Sequence, residues 1–488
     1  MPANYADRLS KFCVPGFVPT SDQVAELKEM LAEAANHETT RGLEGLIIRN
    51  WFKGADYPDE FKAILSKAIA EWNTDLVHAM VGCNWFKGAD YPVEVRAIIN
   101  MAIAKWDTDL LRAIVYRGWF KGTDYPDGVK AILSRAIAEW DTYMLRVMVE
   151  CYWFKGADYP DEVKVIINKA TVKWDTDLVI VIVCQDWFKP SAYPIEFKAI
   201  IDKAIAEWDT YMLRVMVECY WFKGADYPDE VKVIINKAIA EWDTDLLRAI
   251  VYQDWFKGAD YPDEFNGIIK KAIAKWDTDL ILVIVYRHWF KGADYPDEFK
   301  AILSRVTDEE DTFLLRAIVR CNWFKGADYP DEVKGIINMA TAKWDTDLVR
   351  AMVTREWFNA TDYPVEFKGI INMAIAKWNT DLLRRILECY WFKGADYPDE
   401  FKAIIDMATT KWNTDLIRAI LKCNWFKGAD YPNEFKGIIN KAIAECDTFL
   451  LRAIVSRKWF EGADYPDEAS IIRRWAMANG NAEILRFV

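Results

Sequence analysis

The sequence predicts an all-α protein, an αα-hairpin solenoid of 34-residue tandem repeats without clear β-hairpins. Three observations carry this expectation. Trp recurs at 51, 85, 119, 153, 187, 221, 255, 289, 323, 357, 391, 425 and 459, an unbroken step of 34, and self-similarity at such a period marks stacked supersecondary units. Every copy carries one longer and one shorter apolar stripe of helical period. Capping and turn residues punctuate each copy at the same places.

With this Trp as position 1, the unit 51–84 reads WFKGADYPDEFKAILSKAIAEWNTDLVHAMVGCN. Phe61, Ile64, Leu65, Ala68, Ile69 and Trp72 fall at i, i+3, i+4, i+7, i+8 and i+11, the stripe of one amphipathic helix, helix A. Its start is marked by Asp56-Tyr57-Pro58-Asp59-Glu60: Asp56 offers a capping carboxylate, Pro58 suits a first turn, and the acids favour the positive end of the helix dipole. Asn73-Thr74-Asp75, Asp-Thr-Asp in most copies, offers short polar side chains to the free amides of a second helix. That is helix B, with Leu76, Val77, Met80 and Val81 as its apolar stripe. The short connection makes it antiparallel to helix A.

Gly88 and its equivalents are expected to close helix B, or the loop after it, with a positive φ. Polar residues at the equivalents of Asn84 (Asp186, His288, Glu356, Lys458) place the end of helix B before them or in a projecting last turn. Pro190, in Lys189-Pro190-Ser191-Ala192, suggests a local bend; Cys446 in place of the second Trp of its unit reads as decay. One hairpin cannot bury both stripes, so stacked copies must share a core. The expected organisation is an N-terminal segment at 1–16, a diverged N-terminal capping repeat at 17–50, twelve repeats at 51–458 and a C-terminal capping repeat at 459–488.

Apolar residues are 52% of the chain and there are 24 Trp, ample material for a core. Lys and Arg total 62 against 75 Asp and Glu, a formal charge of −13. That balance disfavours nucleic acid bound through a broad basic face. The first thirty residues lack a signal-peptide pattern and no window reads as a membrane span. Six of nine Cys (Cys83, Cys151, Cys219, Cys321, Cys389, Cys423) occupy one repeat position, as expected of duplicated thiols in a reducing compartment rather than a disulfide framework. Metal binding lacks its ligand spacing.

An enzyme needs a unique convergence of acid, base or nucleophile. The three His (His37, His78, His288) lie in different units, and no phosphate loop, dinucleotide fingerprint or nucleophile elbow is present. No catalysis, cofactor or metal is expected.

Comparing copies with one another separates a constant frame from a variable stretch. The Trp-Phe pair, Tyr-Pro and the helix A stripe barely change, whereas positions 32–34, just before each Trp, change almost every time. The candidate partner-binding residues are therefore Cys83, Asn84, Arg117, Cys151, Tyr152, Gln185, Asp186, Cys219, Tyr220, Gln253, Asp254, Arg287, His288, Cys321, Asn322, Arg355, Glu356, Cys389, Tyr390, Cys423, Asn424, Arg457 and Lys458. Side chains there can change without disturbing the core. Relaxed constraint at a solvated helix end explains the same variability equally well. The stretch 136–170 recurs identically at 204–238, which points to recombination within the array. The Trp at position 1 is expected to pack at the seam between repeats.

Trp475-Ala476-Met477-Ala478-Asn479-Gly480-Asn481-Ala482-Glu483-Ile484-Leu485-Arg486 resembles the helix-turn-helix of an ankyrin repeat, and each Gly-Ala-Asp (Gly88-Ala89-Asp90) is similar to the segment after its second helix. The internal units depart from that family: the Thr-Pro-Leu-His signature is absent and Trp72 stands where the Gly between the helices would be. A tetratricopeptide unit shares the length but not the spacing. The ankyrin resemblance implies a scaffold that binds a protein partner, and fast repeat turnover in a fixed frame is, by analogy, a trait of host-directed effectors. The expected location is cytoplasmic, or the host cytoplasm or nucleus for a secreted effector. The alternatives are a purely structural spacer and a nucleic-acid-binding array with one variable stretch per unit, a layout similar to that of transcription-activator-like effectors.

Overall fold

The computed structural model describes residues 8–14, 17, 19–36, 43–49, 52–460 and 465–488; Trp51 and His37 lie outside them. Two compact units are formed, residues 1–234 and 235–488, the division falling inside the helix Pro228–Glu241. Within each, the chain is a regular series of helix pairs, and no strand occurs among the described residues.

Helix A begins at the Pro of every unit, from Pro58–Ala70 to Pro466–Ala478, and helix B at the Thr, from Thr74–Gly82 to Thr448–Val455. Pro at the first helical position costs nothing, because its missing N–H would have no intrahelical partner. The cap is Tyr57, not Asp56: no side chain caps helix A, and Asp56 instead closes a single 3₁₀ turn, Gly54–Asp56, that leads into it. Helix B is capped as expected, the Asn73 carboxamide oxygen accepting from Leu76 N at 3.1 Å and Asp107 from Leu110 N at 3.0 Å. In each compact unit, helix A packs on the next helix A and helix B on the next helix B. Phe61, Ile64, Leu65 and Ala68 meet Leu76, Val77, Met80 and Val81 in the buried layer between them.

Three local expectations are corrected. Trp72 does not extend the stripe of helix A. It follows the helix with φ 57°, as do ten further residues at position 22 and, in its unit, Cys446, all between 51° and 58°. Asn73 N–H then bonds Ala68 O at 2.9 Å and Trp72 N–H bonds Ile69 O at 3.1 Å, the pattern that satisfies the last carbonyls of a helix. A cation of the next unit stands over several of these rings: Lys105 Nζ is 5.4 Å from the Trp72 centroid and donates to Trp72 O at 2.9 Å, and Lys377 is 4.4 Å from Trp344.

Gly88 has no positive φ. It opens the 3₁₀ turn Gly88–Asp90, and a Cβ there would lie 2.3 Å from the Trp119 ring. Glycine is required for close approach, not for conformation. Pro190 produces no distinct local turn: Pro190–Ala192 is the same 3₁₀ turn, closed by Tyr193 N–H to Pro190 O at 3.0 Å.

The Trp at position 1 is a seam residue. Trp85 sets its edge against Phe52 and Phe61 of the preceding unit, with centroids 5.6 and 4.9 Å away, while Phe86 stacks on Tyr91 of its own unit at 5.4 Å. At the N-terminal end the helix Ser21–Asn36 packs on Pro58–Ala70, followed by the short helix Leu43–Ile47. In the last unit the second helix is a single 3₁₀ turn, Ile484–Arg486.

Candidate partner-binding surface

Helix B ends at position 31 or 32, so that position 32 closes the helix in eight of the units 51–458 and positions 33 and 34 lie beyond it in all of them. The next four residues, 33, 34, 1 and 2, make a β-turn closed by the Phe N–H: Phe86 N bonds Cys83 O at 3.2 Å and Phe120 N bonds Arg117 O at 2.9 Å. The second position of such a turn tolerates most side chains.

The variable triplet is thereby split. Position 34 is exposed in each of the units 51–458: Asn84, Tyr152, Asp186, Tyr220, Asp254, His288, Asn322, Glu356, Tyr390, Asn424 and Lys458 all face solvent, as does Gly118. Tyr152 and Tyr390 are 70% and 81% exposed, far beyond what a core aromatic shows. Position 32 is exposed in all units but that of Gly82.

Position 33 turns inward. Cys83, Arg117, Gln185, Cys219, Gln253, Arg287, Cys321, Arg355, Cys389, Cys423 and Arg457 are half-buried and Cys151 is buried. Their donors reach the free carbonyls where a helix B ends. Cys151 Sγ donates to Val147 O at 3.0 Å, with Val115 O of the preceding unit at 3.7 Å; Cys389 Sγ lies 3.4 Å from Val353 O. Arg117 bonds Gly82 O, Arg355 bonds Arg320 O at 2.8 Å, and Arg287 bonds both Gln253 O and Asp254 at 3.1 and 3.0 Å. Gln185 Nε2 donates to Val181 O at 3.0 Å.

Burial pushes these thiols up, to about 11 for Cys83, Cys321 and Cys389 and about 12 for Cys151, Cys219 and Cys423. They stay protonated at neutral pH, as donors rather than nucleophiles or metal ligands. No group of three or more His, Cys, Asp or Glu that could hold a metal occurs among the described residues, and no helix there is long and apolar enough to cross a membrane.

Clefts lie beside the exposed row. One of about 700 Å³ sits between helices Thr380–Glu388 and Thr414–Lys422, lined by Glu388, Tyr390, Arg418, Lys422, Asn424 and Trp425. Another brings Tyr152, Lys155, Asp186 and Lys189 together.

A second set of exposed residues on helix B was not singled out by triplet variability. Position 28 is an Arg in most units and bridges Asp at position 25 of its own and the next unit: Arg248 pairs with Asp245 and Asp279 at 3.0 and 3.2 Å, Arg350 with Asp347 and Asp381 at 2.7 and 3.2 Å. Tyr143, Tyr211, Phe313 and Phe449 replace that Asp and stand 54%, 59%, 64% and 73% exposed. The signal was in the sequence, as the one position of helix B that alternates between Asp and an aromatic residue.

No family model and no curated protein matches the chain. Among solved structures it is similar to one described as a circular tandem repeat protein with novel repeat topology and enhanced subunit contact surfaces, at 12% identity over 100% of this chain and 94% of that one, with a TM-score of 0.12. Both are repeat proteins.

Proposed function

We propose that the protein is a non-enzymatic repeat scaffold that binds a protein partner along the row of position-34 side chains, with position 32 and the exposed face of helix B beside it. The observation that supports this is the division of the variable triplet. Position 33 draws only on Cys, Arg and Gln and is used at the seam, whereas position 34 carries Asn, Gly, Tyr, Asp, His, Glu and Lys and faces solvent throughout the units 51–458. A rigid frame that repeats while one outward side chain per unit changes is suited to reading an extended partner. Exposed Tyr at intervals, mixed with short polar groups, favours protein over phosphate backbone as that partner.

The ankyrin resemblance finds local support. Gly480 has φ 65° and Asn481 N–H bonds Ala476 O at 2.9 Å, the same helix end that Trp72 and Asn73 make. We place the internal units as ankyrin-like hairpins in which Trp has taken over the glycine position. A site in the cytoplasm, the protein's own or a host's, fits nine cysteines without a disulfide.

The test replaces Asn322, Glu356, Tyr390 and Asn424 with Ala in the full chain and compares affinity capture with the unsubstituted protein by mass spectrometry. Loss of a specific captured protein is expected. Unchanged recovery contradicts recognition by this row, and a spacer captures nothing specific in either form.

A further inference from the structure

Ion pairs tie helix A of one unit to helix A of the next. Position 12 is Lys throughout the units 51–458 except at Arg96 and Asn266, and position 10 is Glu in every unit from 51 on except at Gly128. Lys28, Lys62, Lys368 and Lys436 reach the position-10 Glu of the following unit, Glu60, Glu94, Glu400 and Glu468, at 3.5, 3.6, 3.7 and 3.6 Å, and Lys198 reaches Glu230. These carboxylates are seated in the surface, their side chains only 7% to 14% exposed. Where the cation is missing, another replaces it: beside Asn266, Lys270 is the one cation at position 16 in 51–458 and reaches Glu298 at 3.5 Å. Where the carboxylate is missing, none does. Gly128 leaves a notch of about 300 Å³ lined by Arg96, Asn100, Asp124, Tyr125 and Asp127. Among the described residues the exposed Arg96 makes no ion pair.

We propose that this notch takes an aspartate or glutamate side chain of a partner protein, its carboxylate paired with Arg96 where the glutamate of the other units would lie; this rests on the reading of the chain as a scaffold for a protein. The other units show that such a group fits. In 391–424, Asp396 and Asp399 stand at the positions of Asp124 and Asp127, and Glu400 is nevertheless held against Lys368 with its side chain 11% exposed. One negative charge is therefore accommodated beside both aspartates, whereas a phosphate group brings about two. Arg96 also suits a carboxylate better than Lys does, because its planar fork offers two parallel N–H donors to the two oxygens.

The rate at which phenylglyoxal modifies Arg96 in the full-length protein reads the site, followed by mass spectrometry of the digested chain with the other arginines as reference. The probe is acetyl-hexaglutamyl amide at millimolar concentration, compared with its hexaglutamine counterpart and with inorganic phosphate. The glutamate peptide is expected to slow Arg96 about twofold or more, the effect of half occupancy, and the other two to leave it unchanged. Gly128→Glu, which restores the residue of the other units, should slow Arg96 without any probe and abolish further protection. Gly128→Gln, of similar size without the charge, should leave Arg96 faster than Gly128→Glu does. Equal rates with the glutamate and glutamine peptides overturn the proposal, as do equal rates in the two variants or protection by phosphate as strong as that by the glutamate peptide. Should either variant fail to fold, the three probes on the unsubstituted chain still decide. No captured partner enters this readout, so it can fail while the capture experiment succeeds, and the reverse.

Discussion

The indole Nε1–H of Trp153 donates to the carbonyl of Val115, 2.8 Å away, the residue at which helix B of repeat 85–118 ends, two repeats before the one that Trp153 opens. Trp187 and Trp323 make the same bond to Val149 and Val285. Trp85, Trp119, Trp289 and Trp357 occupy the same place with Nε1 buried and unpartnered; the last three follow an Arg at position 33, Trp85 a Cys. Both classes lose similar packing when Trp becomes Phe, but only the first loses a hydrogen bond. Trp153→Phe should therefore be the more destabilising by about 1 kcal/mol relative to Trp119→Phe. Equilibrium urea unfolding of the two variants measures the difference.

Twelve residues between the paired helices hold a left-handed backbone without being glycine. Such a residue costs about 1 kcal/mol relative to Gly. The Cys446 side chain is exposed, so Cys446→Gly should stabilise the protein by roughly 0.5–1 kcal/mol, after allowing for the freer unfolded chain. Trp378→Gly should be near neutral, because it also removes the ring that Lys411 covers at 4.5 Å, a contact of about 0.5–1 kcal/mol. Urea midpoints distinguish the two outcomes.

Gly122 admits the Trp153 ring so closely that a Cβ would sit 2.4 Å from it. Gly122→Ala should cost about 1–3 kcal/mol, as forced overpacking does, and Trp153→Phe should recover part of it in the double variant. Ala360 fills the equivalent position in another unit, so the protein is expected to fold and the loss to show as a lower thermal midpoint.

Tyr159, Tyr261, Tyr329 and Tyr363 are buried, and their phenols are pushed from 10.0 up to about 12, chiefly by loss of solvent and then by neighbouring acids such as Asp158. A raised folded-state value means that the folded protein holds these protons longer than the unfolded chain. Their contribution is complete below pH 10 and is lost as pH rises toward 12. Helical circular dichroism and phenolate absorbance should change together across that window; ionisation of these tyrosines with the helices intact would contradict the burial.

Most of the frame was legible because each signal had one local meaning. Pro58 could only open a helix or break one, and Asn73 offers the carboxamide oxygen to which Leu76 N–H donates. Trp72 misled because helical phase continues past the last residue that is helical, and the backbone reversal at that point is satisfied by a bond to Ala68 O that no side-chain pattern records. Gly88 misled for a related reason: glycine serves both positive φ and close approach, and only the position of Trp119 separates them.

The candidate surface was half legible. Variability located positions 32–34 but treated Arg117 and Asn84 alike, although Arg117 reaches back to Gly82 O while Asn84 stands exposed. The restriction of position 33 to Cys, Arg and Gln was the available sign that it serves the seam, since each of these can donate to a helix end.

The most direct measurement is the affinity of the captured partner for two four-site variants of equal thermal stability. One replaces Asn322, Glu356, Tyr390 and Asn424 with Ala; the other replaces Lys300, Lys334, Lys368 and Lys402 on helix A, away from that row. The account predicts a dissociation constant weakened on the order of tenfold or more by the first, and left within about twofold by the second. Equal affinities for the two variants would contradict it.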